Sequence, residues 1–295
     1  MTDWMSKIPS DYLISEINIP GTHDSCTQYV DFPYISRCQS MSVYEQLHIG
    51  ARFVDIRVEK VGDSLRVVHG MAKCYKDARK KELLDLNQVL DDCFLFLQNH
   101  PTETIIMSLK RDHGGSSEDA FDTFYESYLS QDDPWYLENR VPTLGEVRGK
   151  IVLFNRCAVN SENPRHTYTD YNTGLNFSGF PDQSKSTDKG FITAQIPRRD
   201  GQRGYKYFQQ DMYKLKARQK WENGILPTLE NPLTEYGIAI NFFSATRLNC
   251  NPKRMAKKIY KRLEKTKLQP MRKYGWIVLD FPTEKICRKI ILTNF

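Results

Sequence analysis

Short apolar runs alternate with amphipathic helical patterns along this chain, and most runs carry a titratable or cationic residue at or just past their carboxyl end. The runs cover 13–19, 52–58, 65–69, 104–110, 150–156, 236–245 and 274–280. In 52–58, Val54, Ile56 and Val58 share one face, with Phe53, Asp55 and Arg57 on the other, the period of a strand. Helical spacing is expected over 83–97, where Leu83, Leu86, Leu90, Cys93, Phe94 and Leu97 form one stripe and Pro101 is the stop. It is expected again over 117–129, with Ser117 as an N-cap-like opening, and over 213–223, 252–265 and 283–292. Strands alternating with helices pair in parallel through right-handed crossovers. About seven such strands suit a barrel better than an open sheet, and 295 residues is a normal length for one α/β barrel. A single domain over 1–295 is therefore expected. The polar stretch 157–204, rich in Gly, Pro, Ser and Asn, is read as a long irregular excursion from it rather than a second domain.

Composition removes several alternatives. With 40% hydrophobic and 26% charged residues the chain reads as soluble and globular. No apolar run approaches the ~18 residues of a spanning helix. Residues 1–20 include Asp3, Lys7, Asp11 and Glu16, which suits neither a signal peptide nor a membrane anchor. The seven cysteines contain no C-x-x-C pair, so a zinc site is not expected. Their odd number and wide spacing favour buried, reduced thiols. A net charge of +6 favours anionic partners, but the basic residues are dispersed except at 253–267, which has the spacing of a solvated helix face. No nucleic-acid partner is expected.

The chemistry lies at the strand ends. The first run leads into Gly21, Thr22, His23, Asp24 and Ser25. Others end at Asp55 and Arg57, at His69, at Lys110 to Asp112, at Arg156 and at Asp280. In an α/β barrel these ends converge on one face, where catalytic groups gather. Such a set suits attack on a phosphodiester. Two histidines can serve as general base and general acid, each supported by a carboxylate, for which Asp24 and Asp280 are available. Arg57 can bridge phosphate oxygens. Asp55 reads equally well as the partner of Arg57 in a buried ion pair. His48, His100, His113 and His166 fall in helical or loop contexts and are read as structural or surface residues. Trp4, Trp135, Trp221 and Trp276 are read as packing residues.

Residues 19–25 and 50–57, His69 with Gly70, the run 101–110 (Pro-Thr-Glu-Thr-Ile-Ile-Met-Ser-Leu-Lys) and 149–153 together resemble the catalytic X domain of bacterial phosphatidylinositol-specific phospholipases C. The resemblance runs from about residue 4 to 294 and is weak across 157–204. It implies a distorted single-domain TIM barrel. It also implies cleavage of phosphatidylinositol to diacylglycerol and inositol 1,2-cyclic phosphate without a metal or other cofactor. By the same resemblance His23 deprotonates the inositol 2-hydroxyl and Asp280 orients His23. Arg57 binds the phosphate, and His69, partnered by Asp24, protonates the leaving oxygen. Lys110, Arg156 and Asp211 hydrogen-bond the inositol hydroxyls, with Tyr213 beneath the ring. The partner is an inositol lipid met transiently at a membrane interface, either free phosphatidylinositol or a glycosylated inositol lipid anchor. The family is usually secreted, whereas residues 1–20 are not expected to be a leader, so its location stays open. The bacterial enzymes carry a tryptophan in the loop corresponding to 246–251, and here there is none. Membrane contact is therefore expected instead from 29–37, where Phe32, Tyr34, Ile35 and Arg37 suit a headgroup region.

Glycerophosphodiester phosphodiesterases, sphingomyelinases D and eukaryotic-type phospholipases C use a divalent cation held by carboxylates, and this chain has Arg57 where such a carboxylate is wanted. An inactive inositide-binding module would lack one of the two histidines, and both are present.

Overall fold

Side-chain alternation along the strands separates two apolar layers. In this computed structural model residues 131, 184–191, 197–204, 232, 236 and 247–249 lie outside the description, and for 192–196 and 205 the backbone alone is described. The strands are β1 (Ile19–Thr22), β2 (Phe53–Val61), β3 (Ser64–His69), β4 (Ala72–Lys73), β5 (Ile105–Arg111), β6 (Trp135–Tyr136), β7 (Ile151–Asn155), β8 (Leu175–Asn176), β9 (Ile192–Ile196), β10 (Tyr205–Gln210), β11 (Ile238–Phe242) and β12 (Trp276–Leu279). Neighbours run in parallel in the order β7, β5, β2, β1, β12, β11, β10, with β6 outside β7 and β9 antiparallel on the far edge.

Inward positions form one core: Ile19, Phe53, Ile106, Val152, Phe154, Ile238, Ile240, Phe242, Trp276 and Val278. The alternate positions, such as Val54, Ile56, Met107, Leu109 and Leu153, pack outward against helices such as Leu86–Asn99. Ile277 and Leu279 do the same against Ile259 and Leu263 of Pro252–Lys265 and against Ile286 and Ile290 of Glu284–Ile291. Gly21 is an inward position where a Cβ would stand 2.7 Å from that of Phe53, so glycine there makes room for the aromatic filling. Among the described residues β8 and β10 do not pair. The gap is crossed by the rings of Phe177 and Tyr207, 4.8 Å apart. Two hydrogen bonds also span it, from the Gln209 side chain to the Pro181 carbonyl at 2.9 Å and from the Asp211 amide to the Gln183 side chain at 2.5 Å. The result is a distorted (β/α) barrel.

Three expectations need correction. The first strand is 19–22, not 13–19. The earlier part is apolar because Ile14 and Ile17 plug the barrel floor, where the Ile14 carbonyl accepts from the Trp276 indole at 3.1 Å. The 65–69 run is no parallel strand: β3 returns antiparallel to β2, pairing Val58 with Val67 and Lys60 with Leu65. The helical pattern at 213–223 begins four residues late. It forms one continuous helical segment made of Ala217–Gln219, a π-turn at Lys220–Ile225 and Leu226–Glu230. Elsewhere boundaries shift by a residue or a few. The serine capping Ser117–Ser127 is Ser116, whose oxygen accepts from the Asp119 amide at 3.0 Å. The part of the expected excursion at 184–191 and 197–204, and the centre of the loop at 246–251, fall outside the described residues.

Candidate active site

Because inward positions repeat every second residue, most barrel strands carry an apolar filling and then, toward the carboxyl end, inward polar groups. The first strand supplies His23, β2 Asp55 and Arg57, β5 Lys110, β7 Arg156, β10 Asp211 and β12 Asp280. These groups meet around a cavity of about 410 Å³, lined by His23, Arg57, His69, Lys110, Arg156, Asp211, Tyr213 and Asp280 among others.

The turn bearing His23 is held from all sides. Ser25 Oγ lies 2.7 Å from Thr22 Oγ1 and accepts from the Asp55 amide at 2.8 Å. The Gln39 side chain donates to the carbonyls of His23 and Leu279 at 2.7 and 3.0 Å. Within this frame Asp24 takes a left-handed backbone, φ 43°, rare for a residue with a Cβ. Backbone strain of this kind collects at functional sites. Here it aims a buried carboxylate at the cavity.

Asp280 Oδ1 accepts from His23 Nδ1 at 2.8 Å, which leaves His23 Nε2 facing Asp24 Oδ2 at 3.1 Å. His69 donates from Nδ1 to the Ser36 carbonyl at 2.8 Å, so its Nε2 also faces Asp24 Oδ2, at 3.2 Å. A carbonyl only accepts, which fixes that tautomer. The two rings stand 6.3 Å apart. Burial alone lowers the affinity of His23 for a proton, but Asp24 and Asp280 outweigh it and raise its pKa to about 9. His69 reaches this place because the β2–β3 hairpin rises past the mouth and folds back. Gly70, at φ 56°, then turns the chain into β4.

Arg57 lies among carboxylates: Nε is 2.9 Å from Asp24 Oδ1, Nη2 is 3.0 Å from Asp55 Oδ2 and Nη1 is 3.6 Å from Asp112 Oδ2. Burial opposes its charge, but Asp24, Asp55 and Asp112 together hold it well above the usual guanidinium range. Asp55 is thus the buried ion-pair partner allowed for in the sequence, shared with Arg156 Nη1 at 3.4 Å. Neither Asp24 oxygen is aligned as the acceptor of a protein hydrogen bond, although the Arg57 guanidinium and two imidazoles stand near it. Lys110 Nζ pairs with Asp112 at 2.7 Å. Arg156 lies 4.1 Å from the Phe180 ring centroid.

All nine residues singled out in the sequence therefore stand in or directly beside one pocket. The sequence reading named Asp112 only as a strand end, without a role, and did not single out Cys38, Gln39 or Phe180. Asp112 follows Lys110 by two positions and shares its inward face, a signal that was available. Phe180 comes from the irregular segment after β8, where no pattern marks it. His48, His100 and His166 are occupied elsewhere, with the Tyr44 carbonyl, Asp3 and Glu126. All seven cysteines are free thiols, and six are buried. His23, Asp24 and Cys38 offer atoms within 4.8 Å of one another that could contact a cation, but the Arg57 guanidinium against Asp24 opposes positive charge there. At the rim, Phe32 is 69% exposed and Tyr34 and Ile35 each 55%. Among the described residues no helix is long and apolar enough to cross a membrane.

Comparison with known proteins meets this geometry. Residues 11–157 match the family model described as phosphatidylinositol-specific phospholipase C, X domain. The chain belongs to that family. Over 307 aligned residues it is 27% identical to a 1-phosphatidylinositol phosphodiesterase of Listeria monocytogenes, covering 99% of this chain and 84% of the relative. It is 36% identical to a protein of the same description from Staphylococcus aureus over 165 residues, 52% of this chain and 50% of that one. Among solved structures, a double mutant of the phosphatidylinositol-specific phospholipase C from S. aureus superposes with a TM-score of 0.77 at 26% identity, covering 100% of this chain and 97% of that one. The matched span contains His23, Asp24, Arg57, His69, Lys110 and Arg156. Asp211, Tyr213 and Asp280 lie beyond it and join the site through the fold.

Proposed function

We propose that this chain cleaves phosphatidylinositol to diacylglycerol and inositol 1,2-cyclic phosphate, with its own side chains as the acid, the base and the electrophile. The observation that carries the reading is the pair of imidazoles presenting Nε2 to one carboxylate beside a guanidinium. In-line displacement at phosphorus needs a base on the entering oxygen and an acid on the leaving one. His23 Nε2 takes the proton of the inositol 2-hydroxyl, and Asp280 holds the ring and supports the imidazolium. The 2-oxygen forms its bond to phosphorus as the bond to the diacylglycerol oxygen breaks. His69, as the imidazolium with a proton on both ring nitrogens, gives its Nε2 proton to that oxygen. Arg57, charged at every working pH, sits where charge gathers on the phosphoryl oxygens. Lys110, Arg156 and Asp211 supply donors and an acceptor for the ring hydroxyls, with Tyr213 at the ring. The exposed Phe32, Tyr34 and Ile35 give the mouth an apolar rim for contact with the lipid surface.

The relatives' names, 1-phosphatidylinositol phosphodiesterase, support the substrate class. Support for a mechanism without a metal comes from Arg57, which fills the place a cation would take. The test is release of diacylglycerol from phosphatidylinositol in mixed micelles with excess EDTA. Wild type is expected to turn over, and His23→Ala and His69→Ala each to lose roughly 10²–10⁴-fold in rate. Full activity of either variant would remove that residue from its role. Loss of wild-type activity to EDTA with recovery in calcium would overturn the reading.

A further inference from the structure

Behind the cavity, on the outer side of the sheet, lies a cation that the proposed chemistry does not use. Lys220 is 0% exposed, the only buried lysine among the described residues. Its Nζ donates to Gln210 Oε1 at 2.7 Å. That oxygen also accepts from the Met212 amide at 3.1 Å, while the Gln210 amide nitrogen donates to Asn241 Oδ1 and to the Phe242 carbonyl at 3.1 and 3.0 Å. The Gln210 side chain therefore ties the two neighbours of Asp211 to each other and to β11.

The helix is shaped to this contact. Lys220 begins the π-turn, and π-turns inside helices recur at functional sites. Gly224, in the same turn, lies so close that a Cβ would stand 2.9 Å from Gln210 Oε1 and 3.0 Å from Met212 Cε. The widened turn brings an ammonium and a bare backbone against one side-chain amide. A lone buried lysine is costly, and a Met or Leu would fill such a place at no electrostatic cost.

We propose that Lys220 is a positioning residue for the polyol subsite: through Gln210 it fixes the 210–212 turn, and by its charge it keeps Asp211 an acceptor for a ring hydroxyl. The proposal rests on the functional reading above. Burial pushes the Asp211 carboxyl up. Lys220 is the foremost charge opposing this, ahead of His23, Arg156 and Arg57 on the cavity side. Burial pushes Lys220 itself down to about 8, against the pull of Asp211 and Asp280. The ammonium is thus present across the range in which Asp211 would otherwise take up a proton. A protonated Asp211 donates where the site needs an acceptor.

Lys220→Met in the full chain tests this. Followed by carboxyl ¹³C NMR, the Asp211 midpoint should rise by about 1 pH unit or more. At pH 6 the KM for micellar phosphatidylinositol should rise about tenfold, with kcat changed less than about threefold and the effect fading toward neutral pH. The thermal midpoint should not fall, because the desolvation cost of a buried ammonium leaves with it and Gln210 Oε1 keeps the Met212 amide as a donor. A lysine with only a packing role would instead lower the midpoint and leave the pH profile alone. Added to Asp211→Asn, Lys220→Met should cost nothing further in KM. Lys220→Gln, which keeps a polar contact to Gln210, should move the Asp211 titration in the same direction. An unmoved Asp211 midpoint in both variants, or additive losses in the double variant, would overturn the proposal. If wild type does not cleave phosphatidylinositol, the functional reading fails, while the titration still judges Lys220.

Discussion

Replacing Asp280 by Asn should detune His23 without reshaping the pocket. The carboxylate is buried and 2.8 Å from His23 Nδ1, and the residue is further held through its carbonyl, which accepts from Tyr260 Oη at 2.5 Å. Burial depresses His23, and Asp24 and then Asp280 lift it to about 9. A charge-assisted hydrogen bond contributes roughly 1.5–3 kcal/mol, and one pKa unit is about 1.4 kcal/mol, so the variant ring should titrate about 1–2 units lower. The sign for stability follows. His23 is raised in the folded state, so its contribution is complete below its ordinary value of about 6.5 and disappears as pH climbs through about 9. For wild type that span is on the order of 3 kcal/mol between pH 6 and 10. In Asp280→Asn it should shrink by roughly 40–80%. Activity responds differently. The base acts only when neutral, so the acid limb of kcat/KM should move down with the ring, while the plateau falls roughly 10²–10⁴-fold because Asn does not hold the tautomer that exposes Nε2 as acceptor. Ring titration by NMR, urea unfolding at pH 6 and pH 9.5, and a pH–rate profile read these three effects. A His23 midpoint unchanged by the substitution, or a plateau within threefold of wild type, would refute the assigned role of Asp280.

Arg57→Lys should lower kcat/KM about 10²-fold or more, because an ammonium cannot span the Asp24 and Asp55 carboxylates and also face a phosphate as the planar guanidinium does; a loss under threefold in micellar assays would count against it. Phe32→Ser with Ile35→Ser removes two exposed rim side chains. Partial burial of each at an interface makes roughly tenfold weaker vesicle sedimentation the expected outcome, with cleavage of a soluble inositol phosphodiester unchanged. Vesicle binding equal to wild type would place the lipid-facing surface elsewhere.

The barrel and most of its chemical groups were legible because both depend on a period of two. Once 52–58 reads as a strand, Phe53, Asp55 and Arg57 must share a face, and the same holds for Lys110, Arg156 and Asp280 at the ends of their runs. What stayed hidden depends on direction and on contacts distant in sequence. Periodicity carries no sign of strand direction, so the return of β3 against β2 could not be seen, although His69, read at the end of that run, does line the same cavity. The run 13–19 is as apolar as a strand because floor residues are buried like strand residues. Asp24 was given to His69 alone, whereas a left-handed backbone lets it face both histidines and Arg57. Nothing in the helical pattern at 213–223 marks Lys220, which lies buried at the start of the π-turn.

The account stands on internal attack by the inositol 2-hydroxyl, and ³¹P NMR of a reaction on phosphatidylinositol in excess EDTA tests this most directly. The first new signal should be that of a five-membered cyclic phosphodiester, with inositol 1-phosphate growing in later at its expense. Acyclic inositol phosphate appearing first, or phosphatidic acid in place of diacylglycerol, would contradict it.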